Sequence, residues 1–167
     1  SLQDPITRLN TSEWLFLNSL KRESLMAVRY DFVNLIINGK QMGIYAIEEH
    51  FSKEMIESNQ RREGLIVNWD DLLLWKKFPN DQATNIEWNS IFRSAKAETK
   101  NPKRIKNNPT LKRQAGTAIN LLRSIQENNL PASSIFDSEK TGKFLAMTRI
   151  WNTERGLLFA DINFYFN

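Results

Sequence analysis

Few residue types in this 167-residue chain could do chemistry. There is no Cys, which excludes disulfides, thiolate metal sites and a thiol nucleophile. His50 is the single histidine, so a histidine metal cluster and a Ser-His-Asp triad are excluded too. His50 itself reads as a loop or helix-entry residue. Carboxylate, amide and cation chemistry remain. Glu48 and Glu49 form an acidic pair at the end of an apolar stretch that Arg29 precedes. They read equally as solvent-facing acids at a strand end and as a functional pair. Glu154-Arg155 follows a segment with helical spacing, where an exposed ion pair is the commoner outcome. Asn163 lies between Ile162 and Phe164, on the less apolar face of its strand, with structural and ligand roles equally open.

The net charge of +4 is unevenly placed. Lys96, Lys100, Lys103, Arg104, Lys106, Lys112 and Arg113 face one acid, Glu98, so this segment is +6 and the rest of the chain −2. Such a segment can meet phosphates. It has no interleaved aromatics to stack bases, and it carries Pro and Asn as linkers do. It reads as a solvated loop, and nucleic acid is not the expected partner.

These residues need elements to position them. Asn10-Thr11-Ser12-Glu13 is a helix start, and Trp14, Leu17 and Leu20 recur on one face, which predicts a helix over 12–24. Val33, Leu35 and Ile37 alternate as in a strand. Asn38-Gly39 is the strongest short hairpin signal, because both turn positions favour positive φ. A hairpin over 29–49 is expected, then a short helix at 52–59. A strand at 64–69 is expected to join the same sheet. The stretch 70–75 reads as a turn with a short helix and 78–83 as loop. Residues 85–100 have helical steps, and 101–109 read as an exposed linker. Leu111, Ala115, Ala118, Leu122 and Ile125 step by four and three, the cleanest amphipathic helix in the chain. A further helix carries Phe144, Met147 and Trp151, and a strand at 157–166 ends the chain.

The order predicts an α+β fold, an early antiparallel sheet followed by a mainly helical part and a late strand. The expected organisation is a sheet-containing lobe over 1–100 and a helical part over 101–167. Hydrophobic residues at 41% and aromatics at 11% fit a globular chain. The five Trp are expected mostly in the core. No apolar run approaches the ~18–20 residues of a membrane span. The chain begins at Ser1 and has no signal-peptide pattern.

The segment Arg29–Glu49 resembles the hairpin of CotH-type (spore-coat protein H) kinase-like proteins. There a strand, Asn-Gly, and a strand opening Gly-Ile/Leu-Tyr and closing on Glu correspond to Asn38-Gly39, Gly43-Ile44-Tyr45 and Glu48-Glu49 here. Asp4-Pro5, Thr7-Arg8 and Glu13-Trp14 upstream resemble the family as well. So do Phe136-Asp137, Phe144-Leu145-Ala146 and Asn163-Phe164-Tyr165 downstream, so the resemblance spans nearly the whole chain. It implies a protein-kinase-like fold that uses ATP with Mg²⁺ or Mn²⁺ to phosphorylate a protein substrate, in a bacterial cell envelope or surface setting. It implies that Arg29, Glu48 and Glu49 lie at the nucleotide. Within Asn152-Thr153-Glu154-Arg155, Glu154 resembles the catalytic carboxylate, and Asn163 a metal ligand. Phosphoryl transfer needs a cation on the phosphates, metal ions, and a carboxylate that orients the attacking hydroxyl.

The chain departs from the family at three points. Glu154 stands where Asp is usual, and a displacement of about an ångström can cost ~10²-fold in rate. Nine positions separate Glu154 from Asn163, where about five are expected. The family's second metal-binding Asp is expected after residue 167. These departures imply a truncated or inactive member. The alternative is a non-catalytic cell-envelope or surface module that keeps the fold and binds a protein partner.

Overall fold

The computed structural model describes the chain except residues 9, 71, 73–75, 77–87 and 101 and the side chains of Arg8, Arg104, Glu154 and Arg155. In chain order the elements are β1 (Leu2–Gln3), α1 (Ser12–Arg22), β2 (Tyr30–Ile37), β3 (Lys40–Glu48), α2 (Lys53–Ser58), β4 (Leu65–Trp69), α3 (Trp88–Ser94), β5 (Ala97–Thr99), α4 (Pro102–Lys106), α5 (Pro109–Gln126), α6 (Ser138–Ile150) and β6 (Phe164–Phe166). A 3-10 turn at Glu154–Leu157 precedes β6. The fold is α+β. It divides into two compact units, Ser1–Glu63 with Ser138–Glu154, and Gly64–Asp137 with Arg155–Asn167.

The first unit holds the sheet β1-β3-β2, all antiparallel. Asn38 and Gly39 both take positive φ (50° and 78°), and Ile37 pairs with Lys40 around them. This is the two-residue hairpin the sequence predicts. An extra residue in β3 shifts the register between Leu35 and Ile36. Leu17 and Leu20 of α1 are buried, but Trp14 is 37% exposed, against the core expectation. Helix α6 belongs to this unit, with Phe144 and Phe16 of α1 at 6.4 Å between ring centroids. Its best-buried residue is Thr148; Phe144, Met147 and Trp151 are half-buried.

The second unit holds the sheet β5-β4-β6. Here the structure corrects the sequence reading. Strand β4 does not extend the hairpin sheet, where β1 takes the outer edge of β3; it pairs with β5 and β6 instead. Residues 97–99, read as helical, form β5, and 101–109, read as linker, contain α4. The final strand spans only 164–166. Such pairings join segments far apart in sequence, and local periodicity does not register them. Helix α5 lies where expected, capped by Asn108, whose side chain accepts from Thr110 and Leu111 N–H at 3.0 and 3.1 Å. Its residues Leu111, Ala115, Ala118 and Leu122 pack with Leu65, Val67 and Trp69 of β4. Half-buried Phe164 and Phe166 close the same core. Trp88 is 41% exposed, a second departure from the core expectation. Trp75 and nearly all of 70–83 lie outside the described residues.

Helices α1, α2, α5 and α6 end alike. Ser24, Gln60, Asn128 and Asn152 take φ of 52–59°, and the following N–H reaches back five residues, as from Thr153 to Thr148 O at 2.9 Å. This is the Schellman closure, made with non-glycine residues in all four.

Candidate functional site

The hairpin register alone brings Arg29 and Glu49 together. Each sits one residue beyond the Tyr30–Glu48 pair that opens the ladder. Arg29 N–H donates to Glu49 Oε2 at 3.0 Å, and Glu49 N–H donates to Arg29 O at 2.8 Å. The guanidinium donates twice to Glu49 Oε1, from Nε at 3.0 Å and Nη2 at 2.6 Å. Charge-assisted bonds of this kind are the strong ones. The Glu49 side chain is 9% exposed and that of Arg29 65%. The carboxylate is thus a sheltered anchor, and the guanidinium an exposed cation with one face engaged. Glu49's hydrogen bond, then its charge, raise the Arg29 pKa above its ordinary value. A group raised in the folded state contributes below its unfolded pKa and loses that contribution only in strong alkali, so Arg29 is a fixed cation.

Glu48, the third residue expected here, is engaged with the chain start. Its Oε2 accepts from Ser1 Oγ at 3.0 Å and from Gln3 Nε2 at 3.4 Å, and its N–H donates to Ser1 O at 2.9 Å. His50 is exposed. The side chain of Glu154 lies outside the described residues. Its neighbour Asn152 supplies the left-handed position that closes α6, a structural role for the first residue of Asn152-Thr153-Glu154-Arg155.

Asn163 precedes β6 in the second unit. Its Nδ2 donates to Asp161 O at 3.1 Å, while its Oδ1 is buried with no partner among the described residues. Asn68, the next-to-last residue of β4, repeats the pattern: Nδ2 donates to Trp69 O at 2.8 Å, and Oδ1 is buried with no partner among the described residues. A buried acceptor left without its bond costs ~1–3 kcal/mol. The sequence signal for Asn68 was a polar residue inside the apolar run Leu65–Trp69, and the sequence reading passed over it.

Among the described residues no group of three or more His, Asp or Glu could hold a metal ion. Asn68 and Asn163 each hold a buried, unpartnered amide oxygen, a hard ligand of the type that Mg²⁺ and Mn²⁺ take. On that chemistry Asn163 fits the divalent ion the resemblance implies. No helix among the described residues is long and apolar enough to cross a membrane.

The chain is thus α+β, with an Asn-Gly hairpin, an Arg29–Glu49 ion pair at the open end of that hairpin and an unpartnered amide oxygen before its last strand. A family model described as CotH kinase protein matches residues 13–149. The chain belongs to the CotH kinase family. The matched span contains Arg29, Glu48, Glu49 and Asn68 and stops before Glu154 and Asn163. No curated protein and no solved structure matches the chain.

Proposed function

We propose that this chain is a CotH-type, protein-kinase-like domain that transfers the γ-phosphoryl group of ATP to a protein hydroxyl with the help of Mg²⁺ or Mn²⁺. The observation that carries this reading is the family match over residues 13–149. The Arg29–Glu49 pair supports it. Kinases hold phosphates with a cation fixed by a glutamate, and Arg29 is an exposed cation held by a sheltered glutamate. Glu48 ties the same strand end to β1. Asn163 would hold the divalent ion, which when bound neutralises charge on the phosphate oxygens. Glu154 would orient the attacking hydroxyl and receive its proton as the new O–P bond forms and ADP leaves. Fixing that geometry is where most of the rate comes from.

A second reading keeps the fold without catalysis, as a protein-binding module of the bacterial cell envelope or surface. The observation favouring it is the far half of the hairpin, where Ile36 and Ile44 share one face and are 59% and 63% exposed. Patches of that kind mark interaction surfaces.

Thermal denaturation with and without ATP and Mn²⁺ separates the two. Ligand at a hundred times its Kd stabilises by ~2.7 kcal/mol, so a clear rise in Tm is expected for the wild-type chain and none for Arg29→Ala. In a phosphotransfer assay Glu154→Gln loses turnover and keeps the rise. An unchanged Tm at millimolar nucleotide rejects the kinase reading in favour of the binding module.

A further inference from the structure

The two unpartnered amides are related by the sheet. In β4 the core face takes Leu65, Val67 and Trp69, which leaves Ile66 and Asn68 on the opposite face. Asn68 pairs directly with Glu98 of β5. Continuing the β4–β6 ladder one residue past Val67–Phe164 sets Asn163 across from Asn68 on the other side. Directly opposed residues share a face with Cβ atoms ~4.5–5.5 Å apart. Glu98, Asn68 and Asn163 therefore form one transverse row on the face away from α5.

Three features of this row point to a ligand. Asn68 is only 3% exposed, yet its Oδ1 has no partner among the described residues. Each amide Nδ2 donates one bond to a main-chain carbonyl, and each Oδ1 is a buried acceptor with no partner among the described residues. Glu98, at the sheet edge, is exposed and supplies a negative charge at the open end of the row. Two oxygens that accept and cannot donate to each other need a donor or a cation between them.

We infer that Asn68, Asn163 and Glu98 form a hard-oxygen site for a divalent cation of the Mg²⁺ or Mn²⁺ class. The inference rests on the metal role given to Asn163 above and extends it to two residues the family resemblance did not single out. Two neutral amides and one carboxylate leave most of the coordination sphere to water or phosphate oxygens, the usual habit of Mg²⁺ in nucleotide sites. So little ligand charge predicts weak binding, with Kd of ~10⁻⁴–10⁻³ M.

The test titrates the full chain with Mn²⁺ alone, followed by loss of the free-ion EPR signal. Wild type is expected to bind in the submillimolar to millimolar range. Asn68→Asp, which adds a charge to the row, tightens Kd by about tenfold. Glu98→Gln weakens it by a similar factor, and Asn68→Leu abolishes it. Circular dichroism confirms that each variant folds, and the aspartate variant carries the test should the leucine variant fail. Absence of Mn²⁺ binding, or binding that Asn68→Asp and Glu98→Gln leave unchanged, overturns the site and assigns the amide oxygens to a bridging water. The same titration with ATP present keeps the two claims apart. A nucleotide-dependent Tm rise without binding of the bare ion sinks this site and spares the kinase reading. Binding of the bare ion through Asn68 without any ATP effect does the reverse.

Discussion

Two three-stranded antiparallel sheets of similar pattern occupy this chain with opposite burial. In the sheet β1-β3-β2 the long strands are mostly exposed beyond Tyr30 and Ala46. In the sheet β5-β4-β6 every residue of β4 is buried. The first is held by its turn. Asn38-Gly39 starts the ladder, one extra residue in β3 resets its register beyond Ile36, and every pairing joins residues close in sequence. The second is held by its core, because β4 meets partners about thirty and a hundred residues away. Only packing against α5 can repay the loop entropy of closing such distances. The locally encoded sheet is thus free to carry an exposed site such as Arg29–Glu49. The globally encoded one can hold a polar side chain, Asn68, almost fully buried.

That contrast predicts its largest effect in the second core. Leu122 is 2% exposed and packs in the cluster under β4. Leu122→Ala is expected to cost ~2–5 kcal/mol. Ile44→Ala in the hairpin, at 63% exposure, stays within ~0.5 kcal/mol. Urea denaturation of both variants checks this, and comparable losses would break the distinction between the sheets.

The next effect separates the two glycines at the strand ends. A Cβ on Gly64 would stand 2.5 Å from Phe166 O and 2.5 Å from Tyr165 Cε2, so β6 must move for Gly64→Ala to fold. Overpacking of that sort costs ~1–3 kcal/mol. Gly39 has open space for a Cβ, and its φ of 78° alone opposes a side chain, at ~1–2 kcal/mol. Backbone amide exchange should show the difference in kind. Gly64→Ala loosens the β4–β6 ladder selectively, and Gly39→Ala loosens the turn and leaves β4–β6 protected.

The same division governs what could be read from the residues. The hairpin and its turn follow from alternation and one dipeptide, so they were legible; the Arg29–Glu49 pairing was not, because it depends on the extra residue in β3 that shifts the ladder by one. Helix α5 was legible because one apolar stripe survives along its whole length. Strand β5 was not, because Ala97–Thr99 is too short to show a period and pairs with a strand thirty residues earlier. The 3-10 turn at Glu154–Leu157 and the shortened β6 escaped for a related reason. Apolar residues at 157–166 look like a strand whether or not a partner edge is available for all of them. In the candidate sites, Asn163 was found only through resemblance. Asn68 was passed over because one polar residue in an apolar run carries no period, and its place opposite Glu98 appears only in the cross-strand register.

The smallest predicted effect is a gain, and it tests the local half of the contrast. Gln60 closes α2 with φ of 55°, where Gln60 N–H donates to Glu57 O at 2.9 Å and Arg61 N–H to Ile56 O at 3.1 Å. A side chain in that region costs ~1–2 kcal/mol that glycine does not, and glycine returns part of it through its freer unfolded chain. Gln60→Gly is therefore expected to stabilise the chain by about 0.5–1 kcal/mol, read as a higher urea midpoint with an unchanged m-value. Because the closure uses main-chain bonds alone, it should persist in the variant. A loss of stability would mean that the Gln60 side chain contributes more than its backbone strain costs, and that these helix ends are set by tertiary packing rather than by local geometry.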